Sequence, residues 1–162
     1  ALLQDHKVES RIIFPAAAFL EMIAAALQRR SGDLSASMCV EDVAFRRWLP
    51  LDPSGPTQSV RCEVDEAGAV RVSSTGGDGS SVLHVTAQAG TAQTEHTPLA
   101  SATGGKRVDT AQLYRQFSAL GLDYGPHFRR LADVCLGDAH ATATLQDPTN
   151  SWKADRVHPG FL

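Results

Sequence analysis

The stretch from Pro15 to Gly32 constrains this chain more than any other. Phe19, Leu20, Met22, Ile23, Ala26 and Leu27 recur at intervals of three and four, the spacing of a helix face. Alanines fill much of the remainder, which favours helix and keeps its profile slim. Pro15 suits a first turn, where its missing N–H would have no partner anyway. Arg29 and Arg30 suit the negative C-terminal end, and Ser31-Gly32 supplies a stop. The spacing therefore predicts a helix from Ala16 to about Arg30. A helix so apolar on most sides needs a cover, and a curved sheet is the natural one. A bilayer is not: spanning takes about 18 or more apolar residues, and Glu21 interrupts the run from Ile12 to Leu27. That run also lacks the basic leader of a signal peptide.

The residues that follow supply the sheet. Val40 to Trp48, Gln58 to Val64, Ala69 to Ser73 and Ser81 to Ala89 carry β-branched or alternating patterns. The alternation is clearest in Val60-Arg61-Cys62-Glu63-Val64. Turn clusters separate them at Asp52 to Pro56, Asp65 to Gly68 and Thr75 to Gly79. Residues 1–14 read as extended lead-in. One central helix followed by an antiparallel meander outlines a hot-dog fold over residues 1–92. Residues 93–107 are rich in Thr, Ala, Gly and Ser without periodicity, and read as a linker. Residues 108–162 read as a connecting helix and the start of a second hot-dog. Asp109 is the expected N-cap, with Gln112 in capping-box position. Leu113, Phe117 and Leu120 form an apolar stripe ended by Gly121. Strands are expected from Phe128 to Leu136 and from His140 to Leu145, and residues 157–162 break off where a helix is expected to begin.

Composition narrows the functional classes. With 162 residues, 43% of them hydrophobic and 20% charged, the chain is large enough for a packed core. A net charge of −3 leaves no electrostatic footprint for nucleic acid. The pairs Arg29-Arg30, Arg46-Arg47 and Arg129-Arg130 are scattered and read as solvated surface pairs. Cys39, Cys62 and Cys135 are far apart, so neither a zinc site nor a disulfide framework is indicated. They read as small buried hydrophobes in a reducing, cytoplasmic setting. The start at Ala1 without a Met is expected of a domain cut from a longer polypeptide or trimmed at its end.

Three places hold residues suited to chemistry. His6 lies in a polar patch shortly before the apolar helix, so it is placed to project into a cavity at that helix's N-terminus. A histidine near its ordinary pKa can take a proton from carbon beside a thioester carbonyl. Asp123-Tyr124-Gly125-Pro126-His127-Phe128 forces a turn, since the residue before proline avoids the helical region. Tyr124 at such a turn can offer its hydroxyl to a ligand or simply pack as an aromatic. His158-Pro159 alone indicates only a turn.

Together and in order, these segments resemble one family. Asp5-His6-Lys7-Val8-Glu9-Ser10-Arg11-Ile12-Ile13-Phe14-Pro15-Ala16 resembles the His-x3-Gly-x4-Pro signature of polyketide synthase dehydratases. Leu120 to Phe128 resembles that family's Gly-Tyr-Gly-Pro region, and Val157 to Leu162 resembles the lead-in to its His-Pro-x-x-x-Asp segment. The resemblance implies all or part of a double hot-dog that removes water from a 3-hydroxyacyl group on an acyl carrier protein. It implies His6 as the base that abstracts the α-proton. Pro15, Tyr124, Gly125, Pro126 and His158 would line the substrate channel. The family's acid, an aspartate, is expected just after Leu162. No metal and no diffusible cofactor is implied, because the substrate rides on the carrier's phosphopantetheine. Neighbouring synthase domains and a second copy of the chain are the implied partners.

Two positions depart from the pattern: Ser10 replaces the motif glycine, and Asp123 replaces the first glycine of Gly-Tyr-Gly-Pro. They keep open a dehydratase-like isomerase or cyclase, or an inactive module of the same family. A stand-alone hot-dog thioesterase or binding protein is the reading from another class. It would not explain the Tyr124 and His158 segments.

Overall fold

The computed structural model describes residues 2–32, 39–91 and 105–146. The linker residues 93–104 and the segment holding His158 lie outside the described residues.

After a short 3-10 turn at Leu2–Asp5, strands β1 (His6–Val8) and β2 (Arg11–Ile13) form a tight hairpin. Its two connecting residues, Glu9 and Ser10, both have positive φ, at 49° and 65°. Two left-handed residues in a row are what a two-residue hairpin needs to match the twist of its strands. Helix α1 (Ala16–Ser31) follows. Pro15 precedes it in an extended conformation, at the capping position rather than inside the first turn. Its carbonyl accepts the amides of Ala18 and Phe19 at 3.0 and 3.3 Å. Gly32 ends the helix with φ 71° and donates its N–H to Gln28. Glycine reaches that left-handed conformation without a Cβ clash.

Six strands come next: β3 (Cys39–Phe45), β4 (Pro50–Leu51), β5 (Ser59–Val64), β6 (Ala69–Thr75), β7 (Ser81–Gly90) and β8 (Lys106–Arg107). β5, β6 and β7 make a meander, and β3 returns to pair with β7, giving the order β3-β7-β6-β5. Every pairing in this sheet is antiparallel. Its inner residues Val70, Val72, Val85 and Ala87 pack with Leu49 against Phe19, Ile23 and Leu27 of α1. Ile23, Val72 and Val85 are wholly buried. The sheet covering the helix is the hot-dog arrangement, and burial of apolar surface between them holds it.

Helix α2 (Thr110–Ala119) precedes β9 (Leu122–Tyr124), β10 (Leu131–Leu136) and β11 (Ala141–Leu145). β9 returns to the N-terminal hairpin. It pairs antiparallel with β1, His6 opposite Tyr124, and extends the first sheet to β4-β2-β1-β9. The edge of β1 thus finds its hydrogen-bond partner more than 110 residues downstream, as the register Lys7 to Asp123 records. β10 pairs with β11 and with β8, so Lys106 and Arg107 belong to a strand and not to the linker.

Several local expectations need correction. β3 ends at Phe45 instead of Trp48, because the amides of Arg46 and Arg47 both turn to the His84 carbonyl. β10 starts at Leu131, since Phe128 and Arg129 donate back to Gly125 in a turn. The Asp109 carboxylate caps α2 through the Ala111 amide at 2.9 Å, one residue short of Gln112. Leu120 is 76% exposed, because it sits at the helix C-cap past the packed face. Arg130 is not a surface residue but 2% exposed, with its Nε donating to the His127 carbonyl. The three cysteines are only half-buried.

Candidate active site

His6 stands at the start of β1, where pairing with Tyr124 of β9 fixes its backbone on one side and the β2 hairpin begins at the next residue. Its Nδ1 lies 2.8 Å from the Ile13 carbonyl oxygen. A carbonyl only accepts, so Nδ1 carries the proton and, in the neutral ring, Nε2 keeps its lone pair. Burial lowers the His6 pKa from its ordinary 6.5, against the opposing bond to Ile13. The ring is therefore held neutral and basic at one nitrogen near pH 7.

Aromatic residues fix the ring's plane. Tyr124, directly across from His6 in β9, stacks on it with centroids 5.4 Å apart. Phe128 meets it at 4.9 Å. Burial raises the Tyr124 pKa, helped by nearby Tyr114, so the phenol stays protonated. A cavity of about 350 Å³ opens on His6. Val8, Ile13, Phe14, Phe19 and Leu122 give it apolar walls, and Pro15, Ala16 and Ala17 bring the N-terminus of α1 to it. First-turn amides have no carbonyl one turn back, and the helix dipole makes that end positive. Among the described residues no carboxylate lines the cavity.

The structure thus brings His6, Pro15 and Tyr124 onto one cavity. Gly125 and Pro126 are not among its lining residues, and Pro126 is exposed. Gly125 acts through its backbone, its N–H donating to the Asp5 carbonyl at 2.8 Å. A Cβ at Gly125 would collide with the Asp5 side chain. That close approach explains the glycine. Asp5 also receives the His127 amide at 3.1 Å and pairs with His127 Nδ1, pinning the loop after Tyr124 to the strand carrying His6. Burial would raise the Asp5 pKa, but the two bonds from His127 and its charge outweigh it and lower it. Asp123 takes a hydrogen bond from the Ser118 hydroxyl of α2. Ser10 occupies a left-handed position, φ 65°, which accounts for glycine in the motif that it replaces.

Sequence reasoning missed Phe128, Arg47 and Trp48. Phe128 lay next to a motif and needed only the turn geometry to be recognised. Arg47 and Trp48 reach the cavity through the chain's departure from β3, which no local pattern announced. Among the described residues, no three of His, Cys, Asp or Glu converge to hold a metal.

Residues 1–75 match the family model described as polyketide synthase dehydratase domain. Residues 92–162 match the one described as polyketide synthase dehydratase N-terminal domain. The polyketide synthase ThaG of Burkholderia thailandensis is 31% identical over 99% of this chain and 3% of its own length. A highly reducing polyketide synthase of Pyrenophora dematioidea is 26% identical over 99% of this chain and 7% of its own. The crystal structure of the dehydratase domain of RzxB from Pseudomonas fluorescens is similar with a TM-score of 0.84 and 26% identity. That likeness covers 98% of this chain and 61% of the RzxB domain. The chain belongs to the polyketide synthase dehydratase family, and it has the hot-dog fold of that family. It spans a small fraction of the synthases it matches and about three-fifths of the solved domain.

Proposed function

We propose that this chain carries the base of a 3-hydroxyacyl thioester dehydratase. His6 Nε2 takes the α-proton, and the electron pair it leaves forms the Cα=Cβ bond. The β-hydroxyl departs as water, protonated by the aspartate expected after Leu162, and an enoyl thioester remains. The observation that carries the reading is the bond from His6 Nδ1 to the Ile13 carbonyl, which leaves a neutral imidazole with Nε2 basic. The cavity's apolar walls favour that neutral base, and the amides at the start of α1 suit the oxygen on which charge develops. Tyr124 forms a wall of the acyl channel. The thioester supplies the acidity of the α-carbon, so the chemistry needs neither metal nor diffusible cofactor. The substrate arrives on the phosphopantetheine of an acyl carrier protein. Neighbouring synthase domains and a second copy of the chain complete the assembly, in a reducing cytoplasmic setting. Among the described residues no helix is long and apolar enough to cross a membrane.

The test is mass spectrometry of a 3-hydroxyacyl carrier protein incubated with the domain, encoded past Leu162, and with its His6→Ala variant. Loss of one water by the first and not by the second is the expected result. Elimination at near wild-type rate in the variant would refute the assignment of His6. No mass change with any of several chain lengths would refute the dehydratase activity.

A further inference from the structure

A second concavity, about 590 Å³, adjoins the His6 cavity. Ile13, Arg47 and Trp48 line both, so the two spaces meet along one wall. The groove's other residues include Arg11 and Arg46, and no aspartate or glutamate is among its lining residues. Among the described residues, none of the three guanidiniums forms a salt bridge. Three exposed arginines around one hollow, with no carboxylate among its lining residues, give it a positive surface suited to an anion.

The groove is also pre-built. Its floor holds His84 and Ser74, which are 2% and 6% exposed. His84 Nδ1 donates to the Arg47 carbonyl at 3.0 Å, which leaves Nε2 to accept the Ser74 hydroxyl at 2.8 Å. The Arg46 and Arg47 amides donate in return to the His84 carbonyl. Arg46 is further tied by its Nε to the Thr86 hydroxyl at 3.3 Å. The backbone bearing both arginines is thus fixed before any ligand arrives, which reduces the ordering cost of binding.

We propose that Arg11, Arg46 and Arg47 hold the phosphate of a phosphopantetheine arm, with the thioester at the far end reaching His6. This rests on the dehydratase reading for the identity of the arm. The groove is within the size range of small-molecule sites, and its indole and apolar walls suit the pantetheine stem beyond the phosphate. Guanidinium forks match phosphate oxygens in geometry and charge. A phosphate held here tethers the substrate at the end remote from the reacting carbon, so the subsite acts on KM.

The experiment is calorimetric titration of the full chain with 4′-phosphopantetheine, pantetheine and inorganic phosphate. It is repeated on Arg11→Gln/Arg46→Gln, on Arg11→Lys/Arg46→Lys and on His6→Ala, with thermal melts to establish that each is folded. The phosphorylated probe is expected to bind at least ~10-fold more tightly than pantetheine, the size of one or two charge-assisted hydrogen bonds. That margin should vanish in the glutamine variant, persist largely in the lysine variant and in His6→Ala, and shrink with added salt. Inorganic phosphate should compete with the phosphorylated probe and not with pantetheine. Equal affinity for the two pantetheine probes, or a margin untouched in a folded glutamine variant, overturns the proposal. Dehydration by a chain with no margin would sink the groove alone. A full margin without dehydration of any acyl chain would sink the dehydratase reading and leave the phosphate site standing.

Discussion

Exchanging serine for glycine at the tip of the β1–β2 hairpin should stabilise this protein, against the usual direction of a glycine substitution. Ser10 has φ 65°, where an L-residue's Cβ crowds the following carbonyl. That conformation costs roughly 1–2 kcal/mol for an ordinary residue. Ser10 is exposed, so removing its side chain uncovers no core. Against the relief stands the greater freedom of glycine in the unfolded chain, about 0.4–1 kcal/mol. The difference favours Ser10→Gly by about 0.5–1 kcal/mol, which for a chain of this size raises Tm by about 1–4 °C. Gly32→Ala reverses the same physics. Gly32 has φ 71° and nothing within 4 Å of where a Cβ would sit, so its cost is purely conformational. A loss of about 0.5–1 kcal/mol is expected there by the same arithmetic. Urea unfolding followed by circular dichroism reads both, with m unchanged if only the native backbone is involved. A fall in stability for Ser10→Gly beside a rise for Gly32→Ala would refute the backbone argument. A fall in both would show that Ser10's side chain does something its exposure does not reveal.

The pH dependence follows from His6. Its pKa is lowered in the fold, so the neutral ring's contribution to stability is complete above the unfolded value near 6.5 and is lost as pH falls through the folded pKa. kcat/KM for elimination should fall on the acid side at a pH below that ordinary value; an acid limb above it would contradict the buried, desolvated base. Phe128→Ala removes a ring that is 8% exposed and packs on His6, and should cost about 3–5 kcal/mol together with most activity. Loss of stability under 1 kcal/mol in a denaturant melt would show that the ring is not core. Asp5→Asn weakens the tie to His127, for about 1 kcal/mol, because the pair is partly exposed. The carboxylate's lowered pKa makes that contribution present above its unfolded value and lost as pH falls through the folded one. The stability difference between wild type and Asp5→Asn should therefore shrink on acidification, and a difference constant to low pH would exclude the ion pair as its source.

Helix α1 was legible because three independent local signals agreed: the three-and-four spacing of Phe19, Ile23 and Leu27, the proline before it and the Ser-Gly after it. The meander β5–β7 was legible because alternation and turn glycines are also local, and its observed bounds differ by one or two residues from those expected. His6, Pro15 and Tyr124 stood out by resemblance to a motif, but no local property of the sequence says that they meet. Their meeting depends on β9 pairing with β1, a register set between residues 6 and 124 by backbone hydrogen bonds and by the Asp5–His127 tie. The burial of Arg130, the Nδ1 bond of His6 and the clamp of His84 on Arg46-Arg47 are likewise decided by partners distant in sequence. Which segments become helix and strand is a local matter, because propensity, capping and turn chemistry act over a few residues. Which of those segments share a cavity, and which nitrogen of His6 is left basic, depends on the folded chain, because such contacts join residues that chain order keeps apart.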